Sequence, residues 1–329
     1  MSAALVDPFR ETVALPHVRR LQLLGARVQF AADDARLLYL VDAAFGRLPR
    51  LRLQRPVVRL DVQLRLQPAV KRPRGALPAV PRYSSGAGWL SAIMDASNYV
   101  LVEPLTRRAL VSVSEDLLRP AYLARYELLE FAVLTLAARA QGLVALHGAC
   151  VARNGAAVLL LGERGAGKST LCVHGLQQGF ALLSEDSVFV APATREAVGL
   201  ANFLHLRAPS LASLPARVVR GVRDSPVIQR RSGVEKFELD VRRAGLPLVR
   251  QTPRIAAVVF VRDRAGQKTP RLAPLDARQC ISRLRADQPY AAGQPGWQKF
   301  TATVRGRGFE LTRGADPGAA AHELGRLLT

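Results

Sequence analysis

Gly162, Glu163, Arg164, Gly165, Ala166, Gly167, Lys168, Ser169 and Thr170 spell out G-x-x-x-x-G-K-[S/T]. Each residue type in that pattern has a task that phosphate chemistry sets. Glycines let main-chain N–H groups turn inward and come close to phosphate oxygens. A helix beginning at the end of the pattern adds positive potential at the same place. The lysine reaches the β- and γ-phosphates, and the hydroxyl that follows it ligates Mg²⁺. The context fits: Ala156 to Leu161 is an apolar strand candidate before the loop, and Leu171 to Gln178 is a helical run after it, closed by Gly179. The pattern points to nucleotide phosphates and leaves kinase, ATPase and GTPase open.

Two carboxylates follow at short range. Phe180 to Leu183 is an apolar strand candidate that ends in Ser184, Glu185 and Asp186. A strand beside the phosphate-loop strand would carry these acids to the γ-phosphate. One could then hold Mg²⁺ or its waters and the other take a proton from an attacking hydroxyl. The plain alternative is an exposed acidic turn. His147, on a strand expected to pair with the phosphate-loop strand, could orient or tune the catalytic acid, or could be a core histidine satisfied by main chain. Asp263, after the apolar run Ile255 to Val261, is a rival acidic site, although Arg262, Arg264 and Gly266 around it read as an ordinary strand exit.

Those side chains need a scaffold, and the chain can supply one. It has 329 residues, 49% of them apolar and 22% charged, which suits a packed chain of two domains and excludes a disordered one. No apolar run reaches membrane-spanning length: Ala121 to Ala140 is broken by Arg125, Glu127, Glu130 and Arg139. The N-terminal stretch lacks the pattern of a secretory signal. Three unevenly spaced cysteines, Cys150, Cys172 and Cys280, make neither a disulfide framework nor a zinc site, so a reducing cytoplasm is expected.

Along the first 140 residues, Leu24 to Phe30 reads as a strand and Ala35 to Phe45 as a helix capped by Asp33 or Asp34 and ended at Gly46. Alternating Val58, Leu60, Val62, Leu64 and Leu66 give a strand with one wet face. Residues 68–87 have loop composition, and 88–94, 98–103 and 109–114 are further strands. An amphipathic helix over 121–141, closed by Gly142, forms the joint to a second domain. That domain opens with an apolar run from Leu143 to Arg153. Asn154-Gly155 then turns the chain into the strand before the phosphate loop, because both positions of such a turn need positive φ. The expected division is 1–140 and 141–329.

Lys and Arg number 47 against 26 Asp and Glu, for a net charge of +21. Residues 207–254 hold 11 basic residues and four acids, Arg207 and Lys236 being the ones to test. An anionic partner is one reading of this excess and a solvated basic surface is the other. Arg305 to Phe309 looks like an RGG element, but a single copy reads better as a hairpin turn. With aromatics at only 6%, base stacking has little to work with, so nucleic acid is not the expected partner.

Taken together, His147-Gly148-Ala149, the Asn154-Gly155 turn, the Gly162–Thr170 loop, Gly179-Phe180 and the Glu185-Asp186 pair resemble the HPr kinase/phosphorylase family, and especially HPr-kinase-related proteins outside sugar regulation. The detailed match covers about residues 145–191. The resemblance implies an α/β fold: a mixed-sheet P-loop kinase domain of the HPr kinase / phosphoenolpyruvate carboxykinase type, preceded by a smaller α+β domain. It implies ATP or another nucleoside triphosphate with Mg²⁺, and phosphorylation of a serine-type hydroxyl on a peptide, protein or small molecule. By the same resemblance Lys168 and Ser169 serve phosphate and metal, and His147 is the active-site histidine. Glu185 and Asp186 replace the family's acidic pair, with Glu185 the candidate base and Asp186 the metal-side ligand. Arg164 stands where the family commonly has serine and Glu185 where it usually has aspartate. The E-[I/V]-R-G-x-G segment of true HPr kinases has no counterpart here, which argues against HPr as substrate; a peptide is the leading acceptor. A nucleotide-binding switch or partner-dependent NTPase with no hydroxyl acceptor is the competing class. An acidic acceptor and a homo-oligomer are compatible with the sequence; a membrane partner is not expected.

Overall fold

A computed structural model describes residues 13–73, 76–119, 121–214, 216–263 and 267–328. The N-terminal twelve residues, and Arg264 and Gly266 beside Asp263, lie outside the described residues. The chain is mixed α/β and divides into two compact units. The first comprises 1–21, 27–46 and 59–140, and the second 22–26, 47–58 and 141–329. Two short segments before residue 59 therefore belong with the C-terminal half. Their apolar residues explain why: Leu23, Leu24, Leu51 and Leu53 are all buried. Gln22 Nε2 donates to Leu51 O at 2.8 Å and Gln141 Nε2 to Leu24 O at 3.0 Å, which ties these segments together.

In the first unit, strands β1 (His17–Leu23), β2 (Ala26–Ala32), β3 (Arg59–Gln67), β4 (Arg82–Gly86), β5 (Trp89–Ile93), β6 (Tyr99–Glu103) and β7 (Arg108–Ser114) form one sheet in the order β1-β2-β3-β7-β6-β5-β4. β2, β3 and β7 are parallel and β4 to β7 antiparallel. The strand expected over Leu24 to Phe30 is in fact a turn and β2: Leu24 (φ 50°) and Gly25 (φ 80°) reverse the chain, a turn that the apolar leucine hides. β4 lies in the stretch expected to be loop, and it is exposed at all five residues, so no apolar alternation marks it. Helix α1 (Ala35–Phe45) starts at Asp34, whose side chain accepts from the Arg36 N–H. The second helix is α-helical over α2 (Phe131–Gln141) and π-helical over Ala124–Glu130.

The second unit contains β8 (Val144–His147), β9 (Ala149–Arg153), β10 (Ala156–Leu161), α3 (Lys168–Gln177), β11 (Ala181–Ser184), β12 (Ser187–Val190), β13 (Ala197–Gly199), β14 (Phe203–Leu206), α4 (Ala216–Arg223), β15 (Val227–Gln229) and β16 (Glu235–Asp240). β17 (Arg254–Arg262), β18 (Arg271–Pro274), α5 (Ala277–Asp287), α6 (Pro289–Ala292), α7 (Trp297–Thr303), β19 (Gly308–Thr312) and α8 (Pro317–Gly325) complete it. A six-stranded sheet runs β11-β9-β10-β17-β19-β18, and two three-stranded sheets run β13-β12-β8 and β14-β16-β15. β10, β17 and β19 are parallel; β10 and β17 are mostly buried and β19 is partly so.

The run from Leu143 to Arg153 divides at Gly148 into β8 and β9, which enter different sheets. A Cβ at Gly148 would lie 2.7 Å from Leu160 O, so only glycine lets the chain cross there. The turn at Asn154 (φ 52°) and Gly155 (φ 78°) joins β9 to antiparallel β10 as the dipeptide predicts. His147 consequently lies on β8, opposite Ser187 of β12, and not on the hairpin partner of the loop strand. β11 is separated from β10 by β9, so the acids reach the loop from one strand further away than expected. Arg305 to Phe309 connects α7 to β19 and is not a hairpin turn, because the residues before it are helical. Among the described residues, no helix is long and apolar enough to cross a membrane.

Candidate functional site

The loop from Gly162 to Gly167 leaves the buried strand β10 and ends at the first residue of α3. Its glycines are dictated by geometry. Gly162 has φ 131°, and a Cβ there would lie 2.5 Å from Val261 O. Gly167 has φ 93° and is the residue from which α3 starts; a Cβ there would meet the Arg313 guanidinium. The loop therefore keeps main chain exposed at a helix N-terminus, the arrangement that anions favour. Glu163, Arg164 and Gly165 are exposed, while Ala166 and Thr170 are buried. Lys168 Nζ folds back on the loop and donates to Gly162 O at 2.6 Å and Glu163 O at 3.1 Å. Both acceptors are neutral carbonyls, which a phosphate oxygen can replace.

Ser169, one residue into α3, donates its hydroxyl to Glu185 Oε1 at 2.5 Å. This contact joins two segments that the sequence separates by 16 residues. Glu185 has its other oxygen, Oε2, 3.1 Å from His205 Nδ1. His205 Nε2 in turn lies 3.2 Å from Glu238 Oε1. The side chains of Glu185, His205 and Glu238 are 8%, 6% and 10% exposed. Burial pushes the Glu185 carboxyl up, but the hydrogen bonds and charge of His205, with the Ser169 hydroxyl, outweigh it and hold the group down at about 2. For His205, burial works against the charge, and the two carboxylates prevail and raise its pKa.

Asp186 and His147 form the outer part of the site. His147 Nδ1 is 3.3 Å from Asp186 Oδ1, with side chains 68% and 35% exposed. The Gly148 N–H donates to Asp186 O at 3.0 Å, so the loop after β11 is tied to the β8–β9 crossing. Lys236 stands on β16 two residues before Glu238 and hence on the same face. Its desolvation lowers its pKa against the pull of Glu185, and Arg230, Asp186 and Arg164 also act on it. Arg207 is exposed. Asp263, at the end of β17, pairs with Arg313 at 2.8 Å and is 61% exposed. It is part of the loop's surroundings on the Gly167 side.

The sequence reading thus had the loop, Lys168, Ser169, Glu185, Asp186 and His147 in hand but missed His205 and Glu238. The signal for both was a charged residue at an inward position of a strand: His205 follows buried Leu204, and Glu238 precedes buried Leu239. Nothing in their spacing links them to Glu185. The pairing of β14 with β16 sets His205 opposite Glu238, and His205 reaches Glu185, across from the sheet that carries β11. No family model matches the chain, and no curated protein matches it.

The residues present suit a Mg²⁺-nucleotide. Gly162 and Gly167 take positive φ with no room for a Cβ, the lysine rests on exchangeable carbonyls, and a hydroxyl oxygen follows it. Hydroxyl and carboxylate oxygens are the donors Mg²⁺ takes alongside phosphate.

Proposed function

We propose that the second unit is an ATP-dependent phosphotransferase related to the HPr kinase/phosphorylase type, acting on a serine-type hydroxyl of a peptide, protein or small molecule. The observation that carries this reading is the Ser169–Glu185 hydrogen bond, which puts the first acid of the pair against a glycine-rich, lysine-bearing helix start. Lys168 engages the phosphates and the Ser169 oxygen holds Mg²⁺, which supplies charge neutralisation when bound. Glu185 has one oxygen against Ser169 and the other against His205, and these partners hold its carboxyl down at about 2, which makes it a poor base for a further proton. Asp186 is more open and has His147 beside it. The proposal therefore reverses the order of roles that family likeness suggested: Asp186 takes the proton of the acceptor hydroxyl as its oxygen attacks the γ-phosphorus and ADP departs, while Glu185 fixes Ser169. Lys236 and the basic stretch 207–254 favour an acidic acceptor. The three cysteines are free and buried, in keeping with a reducing compartment such as the cytoplasm.

The test is transfer from γ-labelled ATP to an acidic serine-containing peptide. Label on the peptide that depends on Asp186 supports the reading. Label released only as inorganic phosphate, whatever acceptor is offered, identifies an NTPase instead.

A further inference from the structure

His205 and Glu238 belong to none of the roles above, yet both are buried and reach the loop through Glu185. Their geometry defines their protonation. Each ring nitrogen of His205 faces a carboxylate oxygen, Glu185 Oε2 at 3.1 Å and Glu238 Oε1 at 3.2 Å. An ionised carboxylate only accepts, so an imidazole that satisfies both must carry a proton on each nitrogen. Such a cation, flanked by two anions in a dry setting, is held in one ring orientation by two charge-assisted hydrogen bonds. Burying three ionisable groups is costly unless every one is paired, and here each is paired within the row.

The row ends on Ser169. A serine hydroxyl has one proton to give and two lone pairs, and its proton is free to rotate unless an acceptor fixes it. Glu185 Oε1 takes that proton at 2.5 Å. The lone pairs of Ser169 Oγ are then directed away from Glu185. If Glu185 swung away, the hydroxyl would rotate freely and its lone pairs would have no fixed direction.

We propose that His205, oriented by Glu238, is a positioning residue that locks the Glu185 carboxylate so that Ser169 Oγ presents lone pairs for Mg²⁺ at the head of α3. The proposal rests on the phosphotransferase reading for its consequence, but not for its structural content. It assigns the Mg²⁺-dependent part of nucleotide affinity to a row of residues that touches neither nucleotide nor acceptor. Partners that orient a metal ligand in this way are commonly worth about 10–100-fold in metal affinity or activity.

Two measurements test it on the full chain. The first needs no nucleotide: ¹⁵N NMR of the histidine side chains at neutral pH, with His205 assigned by loss of its signal in His205→Gln. Both ring nitrogens of His205 are expected to be protonated in the wild type. A His205 signal with one unprotonated nitrogen overturns the proposal, whatever the protein turns out to catalyse. The second compares ATP affinity by calorimetry with Mg²⁺ and with EDTA. Wild-type affinity should rise on adding Mg²⁺, and His205→Gln should lose about tenfold or more of that rise while keeping its EDTA affinity within a few-fold. Glu238→Gln, which keeps an amide oxygen for the ring, should lose less. Equal Mg²⁺ gains in wild type and both folded variants overturn the positioning role. Failure of the wild type to bind ATP at all would instead overturn the functional reading, and the ¹⁵N result would still decide the state of His205.

Discussion

Each unit buries a charged cluster, and the two clusters are built differently. In the first unit Arg125 and Glu130 meet at 2.6 Å with side chains 4% and 9% exposed. Both belong to the π-helical stretch Ala124–Glu130, whose wider turn brings residues five apart onto one face. The pair is short-range, lies within one helix, and has the Arg125 guanidinium over the Tyr122 ring at 5.7 Å. In the second unit Glu185, His205 and Glu238 come from three different segments, and the row terminates on a hydroxyl at the mouth of a glycine loop. The Arg125–Glu130 pair draws both of its charges from one helix. The Glu185–His205–Glu238 row reaches the glycine-rich loop through Ser169.

Mutations can break that contrast, and the largest effect is expected in the second unit. Asp186→Asn should lower phosphoryl transfer by about 10²–10⁴ while Mg-ATP affinity stays within a few-fold, as removal of a general base does. Glu185→Gln should weaken the Mg²⁺-dependent part of nucleotide binding as well as transfer. Rates from label transfer and affinities from calorimetry check both. The reverse pattern would return the base role to Glu185.

The next effect is on stability in the first unit. Arg125→Met removes the cation 2.6 Å from buried Glu130 and should destabilise that unit by about 3–5 kcal/mol in denaturant unfolding. Replacing both, Arg125→Met with Glu130→Leu, should recover most of the loss. ATP binding by the folded protein should be unchanged in the double variant. A loss of ATP binding there would mean that the two clusters do not divide as argued.

The smallest effect concerns pH. Glu185 is held at about 2, below the ordinary carboxylate value, so it contributes stability that is present above about 4.5 and is lost as pH falls from there toward 2. The raised pKa of His205 works in the other direction: its contribution is full below about 6.5 and fades as pH rises through its folded value. Thermal unfolding between pH 2 and 5 should therefore show a shallower acid loss in Glu185→Gln than in wild type. Parallel curves would show that the row stores no such linkage.

Much of this arrangement was legible from residue types alone, for reasons that are local. A turn dipeptide such as Asn154-Gly155 and a loop whose glycines must take positive φ declare themselves within a few residues. The acids were found because they sit at a strand end a short way after the loop. What sequence could not show was long-range. His205 is joined to Glu238 by strand pairing between β14 and β16 and to Glu185 by a side-chain contact between two sheets, and polar residues on short strands carry no mark of their partner. Leu24-Gly25 is a turn with an apolar first residue, so its composition argued for strand. The segments 22–26 and 47–58 went to the second unit because of where their leucines are buried, which no periodicity reports.

The most direct test of the account is ATP titrated calorimetrically into the full chain with Mg²⁺, with EDTA, and again with Mg²⁺ into Lys168→Ala. The account predicts saturable binding that Mg²⁺ strengthens and that Lys168→Ala reduces by about 10²-fold or more, since the charge meeting the phosphates is gone. Saturable binding of equal strength in wild type and Lys168→Ala, or no binding by the wild type, would contradict it.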